Sequence, residues 1–356
     1  MAEQRLASSY CLQIAISYIT LSTEQRDGCR SRISLGGRLH RTDMPHAAQF
    51  RLIIRPVAPF RLDLTVWALR RRGRNAIDRW DGTTYRRIVV IEGRPTEIAV
   101  REAGSPAEPR LIVTTVPPHR RLSARQRVRS IVDSLLGPHI DLAEWYRLAE
   151  RDPRLRTLAE RFRGVKPPQF PSVFEALVNA FACQQLSLEV GLELLNRLAA
   201  ACNVRRGPAT DAQYAFPSPR DVALGRAAKY QAIGFSRQKV RALLTLARAI
   251  ERRDVNIEAL SRKDDATVCE QLLALRGVGR WSAEYVMLRG LGRLHVFPGD
   301  DVGAQKRLAR WLGRSAPLDY AGVRKVVAPW RPYAGLVYFH LLLDGLSNAG
   351  VLDSVA

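Results

Sequence analysis

Clustered metal ligands are the first thing missing from this chain. Its 356 residues include five cysteines, Cys11, Cys29, Cys183, Cys202 and Cys269, which lie far apart and make no metal-ligand spacing, and the six histidines are equally scattered. No structural or catalytic transition metal is therefore expected, and no disulfide framework; the thiols read as reduced and mostly buried, as in a cytoplasmic protein. Long apolar runs are missing too. The best piece, Tyr10 to Leu21, is interrupted by Gln13, Ser17 and Thr20, too short and too polar for a membrane span. Acidic residues are in short supply, 34 against 56 basic, for a net charge of +22 and a pI near 10.7. Such an excess points to a polyanionic partner. Lysine contributes only six of the basic residues, so nearly all the positive charge is arginine.

What is present divides into three parts. Residues 1–47 show little periodicity and are expected to form a disordered extension, with Met44 directly before the first strand-like run and so a candidate true start. Residues 48–120 alternate. RLIIRP, LDLTVWAL, YRRIVVIE, TEIAVRE and RLIVTTV are short β-rich runs separated by Gly, Pro and Asp, with Glu92-Gly93 as one hairpin turn. An antiparallel sheet of about five strands is expected, Leu62–Leu69 among them. Residues 121–350 follow the helical period. Helices are expected at Ser123–Leu136, Asp141–Glu150, Ser172–Gln184, Ser187–Cys202, Ser236–Arg252, Asp264–Leu275, Arg280–Arg289, Asp301–Leu312 and Pro332–Leu346. The fold class is α+β, mainly α, with a cleft between helical lobes wide enough for a nucleotide.

The stretch from Ser261 to Arg310 carries the chemistry. Asp264 and Asp265 signal a helix start, and Val268, Leu272 and Leu275 form one apolar stripe. Gly277 and Gly279 then punctuate it with Val278 between, and a second helix opens at Arg280. Glycines one residue apart allow positive φ and leave no side chain to hold an anion away from the free N–H groups of the next helix. A Gly-x-Gly alone could equally be a helix cap. Downstream, FPGDD places Asp300 and Asp301 at the start of another helix, where a carboxylate is favoured by the unpaired N–H groups.

LRGVGRW followed some twenty residues later by an acidic pair resembles the helix-hairpin-helix/Gly-Pro-Asp superfamily of DNA base-excision glycosylases. Within it GVGRWSAEY, PSVFEALVNAFACQQLS and PWRPYA resemble the bacterial 3-methyladenine DNA glycosylase II type, over roughly Phe50 to Leu346. The resemblance implies an N-terminal sheet domain joined to an all-helical helix-hairpin-helix domain. It implies damaged double-stranded DNA as partner, a monomer, and a cytoplasmic, nucleoid-associated location. No cofactor is implied beyond a possible monovalent cation at the hairpin, and no cysteine follows Cys269 to build the iron–sulfur loop of some relatives.

Residue by residue, the resemblance makes Asp301 the catalytic acid. Gln184, Trp281, Tyr285 and Phe339 fall at base-pocket positions, Phe339 standing where the family has tryptophan. Gln185 and Ser187 lie on the loop that enters the DNA, and Arg276, Gly277, Gly279 and Arg280 on the phosphate-binding hairpin. Trp281 occupies the position where bifunctional relatives hold a Schiff-base lysine, so water is the expected nucleophile. Aromatic faces would attract a base made cationic by alkylation. The expected activity is hydrolytic release of 3-methyladenine and 7-methylguanine in base excision repair. Excision of an oxidised or deaminated base, and DNA binding without catalysis, stand as alternatives.

Overall fold

The computed structural model describes residues 50–352; the extension expected over residues 1–47 lies outside the described residues. Five antiparallel strands form one sheet: β1 (Arg51–Ile54), β2 (Arg79–Trp80), β3 (Thr84–Ile91), β4 (Arg94–Glu102) and β5 (Leu111–Val116), in the order β1-β5-β4-β3-β2. Burial alternates along β4 and β5, as a sheet with one packed face requires. Ile91 pairs with Arg94 across a two-residue turn in which Glu92 and Gly93 have φ of 49° and 75°, the left-handed pair of a type I′ hairpin.

One of the expected strands is a helix. Leu62–Arg70 forms α1, and eight of its nine residues are buried. Leu62, Val66 and Leu69 belong to the core shared by the sheet and the central helices, whereas Leu64, Trp67 and Ala68 belong to a second core. Wedged between two cores, α1 has no polar face. Its sequence therefore shows no 3.6-residue period, and the β-branched Thr65 and Val66 bias the reading toward strand.

Helices fill the rest: α2 (Leu122–Leu136), α3 (Ala143–Glu150), α4 (Pro153–Arg161), α5 (Val173–Cys183), α6 (Leu188–Cys202), α7 (Pro219–Ala223), α8 (Ala227–Ala232), α9 (Arg237–Glu251), α10 (Asp265–Leu273), α11 (Arg280–Arg289), α12 (Val302–Trp311), α13 (Tyr320–Val327) and α14 (Ala334–Ser347), with a two-residue ribbon of β6 (Arg205–Arg206) and β7 (Gln213–Tyr214) after α6. The nine expected helices match α2, α3, α5, α6, α9, α10, α11, α12 and α14. The missed ones besides α1 span five to nine residues, too short for a period to declare itself. Among the described residues no helix is long and apolar enough to cross a membrane.

A buried ion network locks the sheet to α5. Arg87 of β3 donates to Asp78 at 2.8 Å and to both oxygens of Glu175 at 2.6 Å, and all three side chains are buried. The two carboxylates hold the guanidinium charged, well above its ordinary range.

His340 sits fully buried in α14, with Nδ1 donating to Leu336 O at 2.7 Å and the ring 5.1 Å from that of Trp145. Burial pushes its imidazole down from 6.5 to about 4. The folded state therefore keeps the neutral ring where the unfolded chain already binds a proton, and stability is lost as pH falls from 6.5 toward 4. About 2 kcal/mol should be gone by pH 5. Urea unfolding at pH 7.5 and 5 should show this loss in the parent but not in His340→Leu. Equal acid sensitivity in both would show that His340 does not set it.

Candidate active site

The hairpin is built as the glycine spacing suggests, but its two glycines do different work. Asp264 caps α10 by accepting from Thr267 N at 3.0 Å. Gly277 has φ 83°, and a Cβ there would come 2.8 Å from Ala242 Cβ of α9, so both conformation and packing demand glycine. Gly279 is extended, at φ −104° and ψ −178°, and a Cβ there would meet nothing within 4 Å. It is the N-cap of α11, and no side chain caps that helix. The first N–H groups of α11 are left to an outside acceptor.

The acidic pair is split by its partners. Asp300 pairs in a bidentate way with Arg280, Nε–Oδ2 2.6 Å and Nη2–Oδ1 3.0 Å, and Arg280 also lies 3.7 Å over the Tyr320 ring. Asp301 is the N-cap of α12: Oδ1 accepts from Ala304 N at 2.7 Å, while Oδ2 accepts from Tyr338 OH at 3.1 Å and faces Trp281 Nε1 at 3.4 Å. The loop carrying both acids is clamped. Glu284 of α11 accepts from Gly299 N at 2.9 Å and from Tyr320 OH at 2.7 Å, and Gln305 donates to Gly299 O at 2.8 Å. Gly299 is required there, because a Cβ would lie 2.7 Å from Tyr320 Cδ2.

Hairpin, acidic loop and the α5–α6 junction surround a cleft of about 1030 Å³, ample for a nucleoside-sized group. Trp281 stacks on Tyr285 in its wall, centroids 5.4 Å apart at 29°. Burial raises the Tyr285 and Tyr338 hydroxyls, Tyr338 well above its ordinary range, so both remain donors at neutral pH. Gln185 at the α5–α6 turn is exposed and holds φ 56°, a conformation unusual outside glycine. Ser187 caps α6 by accepting from Val190 N.

Residues 178–332 match the model of the HhH-GPD superfamily base excision DNA repair proteins. The chain carries an HhH-GPD superfamily domain. It is 26% identical over 203 residues to a DNA-3-methyladenine glycosylase of Bacillus subtilis, covering 56% of this chain and 66% of that one. It is 25% identical over 178 residues to DNA-3-methyladenine glycosylase 2 of Escherichia coli, covering 50% and 60%. This chain thus spans about two thirds or less of the length of these relatives. A solved 3-methyladenine DNA-glycosylase from Archaeoglobus fulgidus superposes with a TM-score of 0.72 over 82% of this chain and 97% of that one, at 23% identity. At that identity the likeness speaks for the fold.

Within the HhH-GPD domain, Asp301, Trp281, Tyr285, Gln184, Gln185, Ser187, Gly277, Gly279 and Arg280 all line the one cleft. One reading needs correction. Phe339 does not line it: it lies 1% exposed in the core beneath Arg289, and Tyr338 and Leu342 face the cleft instead. Neighbouring helical residues point about 100° apart, so a one-position shift exchanges wall for core. Gln184 is committed, its Nε2 donating to Gly277 O and Ser282 Oγ, each at 2.8 Å; it ties the α5–α6 turn to the hairpin. Arg276 is exposed beside the cleft, outside its lining.

Tyr338 and Leu342 are not alone among the cleft residues that escaped sequence reasoning. Arg71, only 4% exposed, ends α1 in the left-handed conformation at φ 64° and donates from Nη1 to Tyr285 OH at 2.8 Å and from Nη2 to Asn179 Oδ1 at 2.7 Å. The segment read as part of a sheet domain with an indirect role supplies a wall of the site. Arginine at position 71 in a run of three, within a chain full of arginine, gave no signal. Reading α1 as a helix would have exposed it as a C-cap.

Proposed function

We propose that this chain is a monofunctional DNA glycosylase that hydrolyses the N-glycosidic bond of alkylated purines, 3-methyladenine and 7-methylguanine, in damaged double-stranded DNA. The observation that carries this reading is Asp301, whose Oδ2 is turned to the cleft and held by Tyr338 beside the stacked Trp281 and Tyr285. Departure of the base leaves positive charge on the sugar. A carboxylate fixed beside it, its other oxygen anchored by Ala304 N, stabilises that charge and orients a water. A DNA-binding protein without catalysis needs the hairpin, but has no use for an acid held this way. The open N–H groups of α11 would take a phosphate while the Gln185 turn fills the gap left by the flipped nucleotide. The protein acts as a cytoplasmic monomer in this reading. It needs no cofactor beyond, at most, a monovalent cation at the hairpin.

A second reading has one observation in its favour. The buried Arg71 guanidinium on Tyr285 places a cation in the pocket wall, which disfavours a cationic base and favours a neutral deaminated or oxidised base with acceptors on its edge. Chromatography of free bases released from methylated DNA and from deaminated DNA decides between them: release of 3-methyladenine from the first is expected. Release from the deaminated DNA alone would establish the second reading, and release from neither would sink the glycosylase assignment.

The reaction should stop at an abasic site. Lys239 and Lys306 line the cleft, but Lys239 Nζ is engaged by Ala182 O at 3.0 Å and Gln184 O at 2.7 Å, and Lys306 lies one turn into α12. Borohydride added during turnover should trap no covalent protein–DNA complex, and strands should break only after alkali. Robust trapping, lost in Lys306→Ala or Lys239→Ala, would replace hydrolysis by a Schiff-base mechanism.

A further inference from the structure

A second concavity is a groove of about 440 Å³ between α8 and α9. Arg237, Arg241, Arg248 and Arg252 line it, all exposed, at successive spacings of four, seven and four residues. With Thr245 filling the gap, they make one stripe along a single helix face. No Asp or Glu lines the groove. Arg237 and Arg241 have no described hydrogen bond or ion pair. Arg248 reaches only Gly225 O at 3.5 Å, and Arg252 alone has a carboxylate, Asp254 at 2.8 Å, in a pair exposed on both sides. Elsewhere the chain neutralises many of its arginines locally, in buried and surface pairs alike. A groove of one sign, floored by the apolar Val240 and Leu244, focuses its field outward onto an anion.

The stripe begins at the end of α9 that borders the cleft. Ser236, Gln238 and Lys239, at the start of the same helix, line the cleft, and Ala242 of α9 packs under Gly277 of the hairpin. From Arg237 to Arg252 the helix rises about 22 Å, the length of six to seven base pairs.

We infer that this groove is a track for the phosphodiester backbone of the DNA arm leaving the cleft, extending the contact beyond the nucleotides at the hairpin. The inference rests on the DNA glycosylase reading above. Guanidinium groups strung along a helix suit an extended, sequence-independent row of phosphates better than a compact ligand. The track supplies affinity and not chemistry, because no member reaches Asp301.

The test uses the full chain and synthetic duplexes containing one stable abasic-site analogue, with either four or twelve base pairs on each side of it. Binding is followed by fluorescence anisotropy across a salt series. The parent should bind the long duplex more tightly and with a steeper salt dependence than the short one. Arg241→Gln/Arg248→Gln, both on the exposed face, should lose on the order of tenfold affinity for the long duplex and flatten its salt slope by about two, one per lost phosphate contact. On the short duplex, binding should match the parent within about twofold. Parent-like affinity and slope of the double variant on the long duplex would overturn the track. So would an equal loss on both duplexes, which would put the arginines inside the cleft's own contacts. A parent that binds neither duplex would instead bring down the DNA-binding reading itself, whatever the variant does.

Discussion

Asp301→Asn should lower base excision by about a thousandfold while melting temperature and affinity for an abasic-site duplex stay close to the parent's. The substitution keeps shape and, through Oδ1, the cap on Ala304 N at 2.7 Å, so α12 should start where it does now. What disappears is one negative charge facing the cleft. A unit charge about 4 Å from the developing cation is worth about 4 kcal/mol at an effective dielectric near 20, and each 1.36 kcal/mol is tenfold in rate. Asp300→Asn is the control that makes the result interpretable. Its carboxylate is occupied by Arg280 at the surface, so excision should change less than tenfold, with the freed Arg280 affecting binding more than chemistry. Near-parent excision by Asp301→Asn, or equal losses in the two variants, would refute the assignment of the acid.

The contrast between those two aspartates shows where sequence was informative. The hairpin, the helix that follows it and the acid some twenty residues on are local features. Each depends on glycine conformations and caps that a dozen residues specify, and the structure brings them to one cleft. The α1 segment was not legible because two cores cover it on opposite sides and erase the polar face that periodicity needs. Arg71 was lost with it. Its place at the site depends on the left-handed turn ending α1 and on Tyr285, more than two hundred residues away in sequence. Phe339 failed for a finer reason. α14 is buried on nearly all sides, so its apolar sequence cannot say which residues face the cleft and which the core, and Tyr338 is recognisable only from its hydrogen bond to Asp301.

The same long-range dependence governs stability at the joint between sheet and helices. Arg87→Met should destabilise the protein by about 3–5 kcal/mol, because it leaves carboxylates buried without their cation. The two acids are not equally exposed to this loss. Asp78 retains Tyr85 OH at 2.8 Å and Asn75 Nδ2 at 3.3 Å, whereas among the described residues Arg87 is the only side chain bonded to the Glu175 carboxylate. Glu175 is therefore the stranded charge. Burial already raises its carboxyl above the ordinary value with Arg87 in place, and removing Arg87 raises it further. A carboxyl whose folded pKa lies above its unfolded one favours the protonated fold, so the deficit of Arg87→Met relative to the parent should shrink as pH falls from 7.5 to 5. For the same reason Arg87→Met/Glu175→Gln, which replaces the stranded charge by an amide, should recover at least about 2 kcal/mol of the loss. Urea unfolding of the parent, the single variant and the double variant at both pH values reads all of these differences. A deficit that is independent of pH, with no recovery in the double variant, would mean that Arg87 acts through packing alone, and that the sheet is held to α5 by apolar contact and not by charge.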